Sequence, residues 1–411
     1  MERDETETGA PSRREYVRYV GAVAGGGLLA GCMGGDGATP TAQPSDPTDS
    51  ADTDATEAST PTESGGDAYT VTMAPMGEVE FERPPESVFT RLTHLAGMAF
   101  ALGRGNDVNA MHAPAYYDAL WNQFTPRLEG VSLDWTGLYS SWQTSKEQLY
   151  ELDSDVHLAD PASLYALGSW DVTDIEEVAE NIGPWFGNTF SDSHSQPPEE
   201  WVDDYEYYGL WEMFEKVAQV FREEERYEAL ASIHADVRSR IDAELPSESD
   251  RPRTVMGGFS EVDAPYVYKT DAPGFLAAHV RPFKSRNAFG EDVSSTTQVD
   301  MEAMLEADPD VIFALGGMHP GTDMPAIRSG LEEHPVGREI TAVKNGRVYA
   351  QGARYQGPIL NLFQLEMTAK QLYPEAFGEW PTYETGPYPE IPAEERLFDR
   401  DEVAGIINGE F

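Results

Sequence analysis

Arg281, Lys284 and Arg286 fall within six residues of a chain that is short of cations, with 28 Lys and Arg against 73 Asp and Glu. A desolvated guanidinium donates charge-assisted hydrogen bonds to anionic oxygens, so this basic island is a candidate site for an oxygen-rich anion. The alternative is internal pairing with nearby acids such as Glu291 and Asp292. The eight histidines are scattered and form no His-rich loop, which argues against a receptor for free zinc or manganese. Cys32 is the only cysteine, which excludes an internal disulfide, a Cys-ligated zinc, an iron–sulfur cluster and a blue-copper thiolate from the folded part. A secreted enzyme is a rival reading, but the chain has no Gly-x-Ser-x-Gly elbow and no His-Glu-x-x-His pair.

The chain has 411 residues, enough for two or three domains, and core burial is not limiting. Its net charge of −45 is spread along the whole sequence, which makes nucleic acid a poor partner. Only 6 of the 28 cations are Lys, while aromatics stand at an ordinary 11%. This is the composition of a folded protein with an acidic surface, suited to concentrated salt. At molar ionic strength the Debye length is ~3 Å and most of the self-repulsion is screened. A halophilic source is expected.

The N-terminus reads as a targeting segment. Ser12-Arg13-Arg14-Glu15-Tyr16-Val17-Arg18 precedes a Gly-rich, mildly apolar stretch ending Leu29-Ala30-Gly31-Cys32. This resembles a twin-arginine export signal joined to a lipobox, which implies lipidation of Cys32 and a mature chain that starts there. The stretch from Tyr19 to Cys32 is too short for a spanning helix, which needs ~20 apolar residues. Residues 33–67 are Thr, Ser, Asp, Pro and Gly with eight acids and no Lys or Arg, a composition that cannot build a core. As a flexible tether they would reach on the order of 30 Å. The expected division is a signal peptide at 1–31, lipidated Cys and tether at 32–67, an N-terminal lobe at 68–204, a helical region at 205–245, and a C-terminal lobe and tail at 246–411.

From Tyr69 onward short apolar runs alternate with amphipathic stretches, the pattern of an α/β fold with two lobes. In the first, Ser87–Leu92 and Val108–Met111 read as strands around a Leu95–Leu102 helix closed by Gly103. In the second, Arg253–Phe259, Pro265–Tyr268 and Val311–Leu315 read as strands and Gly274–Val280 as helical. Setting residue n against n + 155 exposes a repeat. Ser145-Lys146-Glu147, Glu151, Asp153, Asp155 and Val156 fall on Asp300-Met301-Glu302, Glu306, Asp308, Asp310 and Val311. Each copy offers an N-cap, a Glu in the first helical turn, a short helix and an Asp-x-Asp-Val approach to a strand. Glu147 and Glu302 would then start equivalent helices on the same side of two related lobes. Between the copies, helical spacing runs from Tyr205 to Leu245 with a break near Glu223. Its second half is ~33 Å long at 1.5 Å per residue, a stiff link between lobes that allows only small opening. Ligands of such folds sit beyond the C-terminal ends of the strands, between the lobes. This nominates Thr90–His94, Asp160–Ala162, Trp185-Phe186-Gly187-Asn188, Phe259–Glu261, Gly316–His319 and Ala353–Gln356. Trp185 and Phe186 suit a flat chelate or macrocycle, or else belong to a core.

Glu86-Ser87-Val88, Ala99–Gly103, Lys146–Asp155, Ala307-Asp308-Pro309-Asp310-Val311-Ile312-Phe313 and Ala342-Val343-Lys344-Asn345-Gly346-Arg347-Val348-Tyr349 together carry a family likeness over residues 69–375. In these runs the chain resembles the iron-complex and cobalamin class of solute-binding lipoproteins of ABC importers. The resemblance implies two similar α/β lobes with parallel-rich sheets joined by a long backbone helix, no catalysis and no tightly bound cofactor. It implies a ferric-siderophore-type complex as cargo, with cobalamin or haem as alternatives, and ferric iron carried within that ligand. It further implies a lipid-anchored position on the outer face of the cell membrane and a permease dimer as partner, docked through Glu147 and Glu302. Ferric catecholates would engage Arg281, Lys284 and Arg286. Some members of the family add a His and a Tyr to the iron, and by position these match His279 and Tyr355, with His319 as a substitute. The segment after Pro374 lies outside the usual pattern.

Overall fold

In the computed structural model the described residues are 68–291 and 293–411. The export signal, Cys32 and the tether lie outside them. The first element is a hairpin that the sequence reading did not resolve, β1 (Tyr69–Met73) and β2 (Gly77–Phe81), paired antiparallel. Its buried Val71, Met73, Val79 and Phe81 alternate with exposed polar residues, the period-2 pattern of a half-buried ribbon.

The N-terminal lobe holds β3 (Val88–Thr90), β4 (Val108–Met111), β5 (Tyr139–Ser140) and β6 (Val156–Leu158), all parallel in the order β5-β4-β3-β6. The C-terminal lobe holds β7 (Arg253–Gly258), β8 (Tyr266–Tyr268), β9 (Arg286–Asn287), β10 (Thr297–Gln298), β11 (Val311–Ala314) and β12 (Val348–Ala350). Here β9, β11 and β12 run parallel with β7, while β8 and β10 are antiparallel additions at one edge. β3, β6 and β11 are buried on both faces, which is why they read as continuous apolar runs. The expected helix at Gly274–Val280 is only a 3-10 turn at Phe275–Ala277, entered through Gly274 at φ 85.

The internal repeat is structural. Helices Lys146–Leu152 and Met301–Ala307 have seven residues each, begin at N-caps Ser145 and Asp300, and end at left-handed Asp153 (φ 44) and Asp308 (φ 39). Asp155 then accepts from the backbone N–H of Ser87 at 3.0 Å, and Asp310 from that of Arg253 at 2.7 Å. The backbone N–H groups of the same two aspartates donate back to the Ser87 and Arg253 carbonyls, each at 2.8 Å. Each copy therefore fastens a strand, β6 or β11, beside the first strand of its own lobe.

The expected helical region with its break near Glu223 is two helices, Leu210–Phe221 and Glu224–Ala243, separated by left-handed Arg222 at φ 53. The second buries Leu230, Ile233, Val237 and Ile241 at helical spacing. Arg226 near its start donates to the Leu102 carbonyl of the N-terminal lobe, and Asp242 near its end meets Lys284 of the C-terminal lobe at 3.4 Å. The lobes also touch directly. Helix Thr93–Ala101 lies against helix Pro358–Leu372, and a Cβ built on Gly357 would come within 2.7 Å of the Gly97 Cα. Only glycine permits that approach. Gly357 has φ −80, which any residue adopts, so Gly357→Ala tests packing alone. We expect it to cost about 1–3 kcal/mol through overpacking, measured by denaturant unfolding in concentrated salt. A stability equal to or above that of the parent would show that these helices are not in contact.

Candidate functional site

The C-terminal ends of both sets of parallel strands open onto the space between the lobes, and the segments that follow them meet there. After β3 come Arg91, Thr93 and His94; after β4, His112 and Tyr116; after β6, Asp160. From the other lobe come His319 after β11, and Arg354, Tyr355 and Gln356 after β12, joined by Phe275 and His279.

Rings cross the gap in two places. His94 lies 4.4 Å from Phe275 and 5.8 Å from Tyr355, centroid to centroid. Tyr116 stacks on His319 at 4.2 Å with 8° between the planes. Neither ring nitrogen of His94 has a hydrogen-bond partner, although the residue is fully buried. His279 is also fully buried. Its Nδ1 meets Gln356 Nε2 at 2.7 Å, while its Nε2 has no partner.

Two arginines define the electrostatics. Arg91 is only 5% exposed, with its guanidinium 5.9 Å from the Trp142 ring centre. Arg354 is 9% exposed, and its guanidinium sits 4.3 Å from the Tyr268 ring centre. The Nε of each has no hydrogen-bond partner, and among the described residues neither makes a salt bridge. Burial lowers the pKa of both, opposed by Tyr355 and Asp160 for Arg91 and by Tyr268, Tyr355 and Asp192 for Arg354. Burial raises the Tyr355 phenol and keeps it protonated. Asp160 is pushed up to about 6 by burial, although the backbone N–H groups of Ala162 and Thr189 and the Tyr205 hydroxyl all donate to it. Buried donors left unpaired are costly, so this cluster is poised to receive an acceptor-rich partner. Arg91 and Arg354 stand in two of the loops nominated from the sequence but were not singled out there. The signal available was a scarce cation directly after a strand in each lobe.

The basic island is elsewhere. Arg286 lies on β9 beside Arg253, the first residue of β7, at the end of the sheet away from the crevice, and donates to the Arg251 carbonyl at 2.9 Å. Lys284 pairs with Asp242, and Arg281 donates to the Ala272 and Gly274 carbonyls at 2.8 and 2.7 Å. Their charges serve a turn and a helix end. Glu291 pairs with Lys269 instead of the island. Trp185 and Phe186 belong to the core. Trp185 Nε1 donates to the Ile175 carbonyl and Phe186 packs edge-on against Phe81. The Asn188 side chain is used up by the Ala74 and Glu206 carbonyls, by Ser191 and by Tyr205. Tyr355, His279 and His319 do reach the crevice. Among the described residues no group of three or more His, Cys, Asp or Glu is placed to hold a metal ion.

Glu147 and Glu302 are exposed in the first turns of the equivalent helices. A helix leading into a parallel strand starts at the strand's C-terminal end, so both carboxylates lie toward the crevice side of their lobes. Hydrogen bonds from its own backbone N–H and from Ser145 hold the Glu147 carboxyl below the usual range.

Burial pushes His94, His112 and His279 down to about 3 and His157 to about 4, while the unfolded chain titrates them near 6.5. Their contribution to stability is complete above that value and is lost as pH falls toward 4. The slope is roughly 1.4 kcal/mol per pH unit for each, about 5 for the four together. Asp160 works in the opposite sense, since its raised pKa favours the folded state most at low pH and loses that effect between about 3.8 and 6. Unfolding free energies measured between pH 7 and 5 should therefore fall steeply, the more so because burial also pushes His234 down to about 3 and His319 to about 4, and His94→Gln should remove about a sixth of the histidine slope. An unchanged slope in that variant would mean that His94 is not buried uncharged.

The family model described as periplasmic binding protein matches residues 159–355, just under half of the chain. No curated protein matches the sequence. Solved structures share the fold. An iron uptake ABC transporter substrate-binding protein from Streptococcus pneumoniae aligns with TM-score 0.52 at 16% identity, covering 74% of this chain and 99% of its own. A periplasmic solute binding protein from Veillonella parvula gives 0.53 at 16%, over 76% and 88%. A periplasmic heme binding protein from Vibrio cholerae gives 0.50 at 13%, over 70% and 100%. These relatives are binding proteins with this two-lobed α/β architecture, and among the described residues of the present chain no helix is long and apolar enough to cross a membrane.

Proposed function

We propose that this chain is the solute-binding receptor of an ABC importer, that it captures an anionic, oxygen-rich iron complex between its lobes, and that it catalyses no reaction. The observation that carries the reading is the pair of buried arginines, Arg91 from one lobe and Arg354 from the other, each with an unpartnered Nε and each acting on Tyr355, whose ring lies with those of His94 and Phe275. Guanidinium groups recognise anionic oxygens, and the rings suit aromatic ligand arms. A ferric catecholate offers both. The family match over 159–355 and the folds of an iron-uptake and a heme-binding protein support the same class of cargo. Haem, whose carboxylates also suit two arginines, is the second reading. The twin-arginine signal and Cys32 support a receptor tethered outside the membrane by lipid, and the acidic surface supports a halophilic setting. Glu147 and Glu302 are the proposed contacts with the two permease subunits.

Intrinsic Trp and Tyr fluorescence, titrated in molar salt with ferric catecholates, ferric hydroxamates, cobalamin and haem, tests the cargo. Arg91→Met and Arg354→Met should each weaken catecholate binding about 10- to 100-fold, the worth of a hydrogen bond to a charged group. Uncharged hydroxamate complexes should be affected far less. Binding of none of the four would leave the receptor without its proposed cargo.

The docking role is tested in cells. Glu147→Arg combined with Glu302→Arg should abolish uptake while leaving ligand affinity in solution intact, and normal uptake by the double variant would exclude these contacts.

A further inference from the structure

The segment after helix Pro374–Phe377 is peripheral to the crevice, and it buries Trp380, Tyr383, Tyr388, Ile391, Leu397, Phe398 and Arg400. Its course crosses between lobes. It begins on the C-terminal lobe, where Arg328 donates to the Tyr383 carbonyl at 2.8 Å. At Tyr388 it reaches the other lobe. The Tyr388 backbone N–H donates to the Gln123 carbonyl at 2.6 Å, and its own carbonyl accepts from Arg127 Nε at 2.6 Å. The Tyr388 ring lies between Phe124 of the N-terminal lobe, 5.7 Å away, and Phe363 of the C-terminal lobe, 4.9 Å away. Its hydroxyl donates to Glu366 Oε1 at 2.6 Å. One residue is thus fixed to both lobes at once.

The return leg closes on the same carboxylate. Glu366 is fully buried in the middle of helix Pro358–Leu372, and it also accepts from the Leu397 N–H at 2.7 Å and from Arg400 Nη2. The Arg400 guanidinium lies 3.8 Å from the Phe398 ring centre and 4.4 Å from that of Phe363. Helix Arg400–Asn408 then runs along the Glu224–Ala243 helix, and Asn408 reaches the Glu129 carbonyl of the N-terminal lobe at 3.4 Å. Every polar contact of this carboxylate is therefore with the tail.

We propose that residues 378–411 form a clasp that holds the two lobes at one fixed separation, with Tyr388 as its pin and Glu366 as its catch. Among the described residues the pin and the catch, Tyr388 and the Glu366 carboxylate, bond only to each other, to the tail and to Gln123 and Arg127, and the tail meets a crevice loop only where the Tyr383 hydroxyl reaches the Met318 carbonyl at 3.5 Å. Removing it frees the lobes to separate about the interlobe helix.

The test measures the distance between lobes directly, without ligand. In the full chain carrying Cys32→Ser, spin labels on Glu151→Cys and Glu306→Cys, exposed and equivalent helix positions of the two lobes, report one separation each by pulsed electron resonance. A protease site inserted between the exposed Glu384 and Thr385 allows the tail to be cut after folding, and Tyr388→Phe removes only the hydroxyl that joins the pin to the catch. The intact chain should give a single narrow distribution. Tyr388→Phe should broaden it, and the cut chain should broaden it further toward longer distances. The same narrow distribution in all three proteins would overturn the proposal.

Discussion

The contact between Gly97 and Gly357 is the constraint on which the crevice depends. A side chain at either position would collide with the backbone of the other helix, and at Gly97 with the Trp121 ring as well. Because both positions are bare, helix Thr93–Ala101, four residues past its start, meets the start of helix Pro358–Leu372 backbone to backbone. The segments immediately before those starts carry Arg91 and Arg354. Close helix approach thus sets the spacing of the two loops that carry Arg91 and Arg354, both of which act on the Tyr355 phenol. The Trp211 indole, which donates to Asn361 Oδ1 at 3.0 Å, ties helix Leu210–Phe221 into the same junction.

Two cations buried to 5% and 9% exposure need an opposing term. Here it is partial: Asp160 and Asp192 sit close enough to raise the arginine pKa values, yet neither forms a salt bridge with them. Both carboxyls are themselves shifted up by burial and are held by hydroxyl and backbone donors. The unmet hydrogen-bonding capacity among these charged groups therefore lies on the cations, at Arg91 Nε and Arg354 Nε. An anionic guest relieves that directly, whereas a neutral one would leave the guanidinium groups desolvated without return.

Much of this was legible in the sequence, and the reason is periodicity. Doubly buried strands such as Val311–Ala314 appear as uninterrupted apolar runs, and the helix break at Arg222 followed from the change in spacing near Glu223. The n + 155 repeat survived because each of its residues has a local task, as an N-cap, a left-handed helix end, or a carboxylate that receives the N–H of the neighbouring strand. The site was less legible. Proximity in sequence drew attention to Arg281, Lys284 and Arg286, but that island answers local carbonyls and Asp242. Arg91 and Arg354, which both act on Tyr355, stand far apart in the sequence, one in each lobe. Trp185 and Phe186 were read as a crevice loop, yet they follow helix Val172–Asn181 and the parallel bridge from Trp185 to His157 turns the segment inward as a sheet edge. Nothing in the tail's sequence announced its path either, since its partners, Gln123, Arg127 and Glu366, are reached only through tertiary contacts.

Salt gives the burial of these arginines a further meaning. In the concentrated salt that the acidic surface is proposed to suit, charges more than ~3 Å apart in solvent scarcely sense one another, so an exposed cationic patch would have little hold on an anionic ligand. Screening ions cannot enter a packed crevice, and the interaction there keeps its strength. The surface of this chain spends its charge on solvation, with 73 acids distributed along the sequence, while Arg91 and Arg354, the proposed recognition cations, are withdrawn from solvent to 5% and 9% exposure. An anion-binding receptor working at high ionic strength has to be built this way, with selectivity kept in the interior and solubility kept outside.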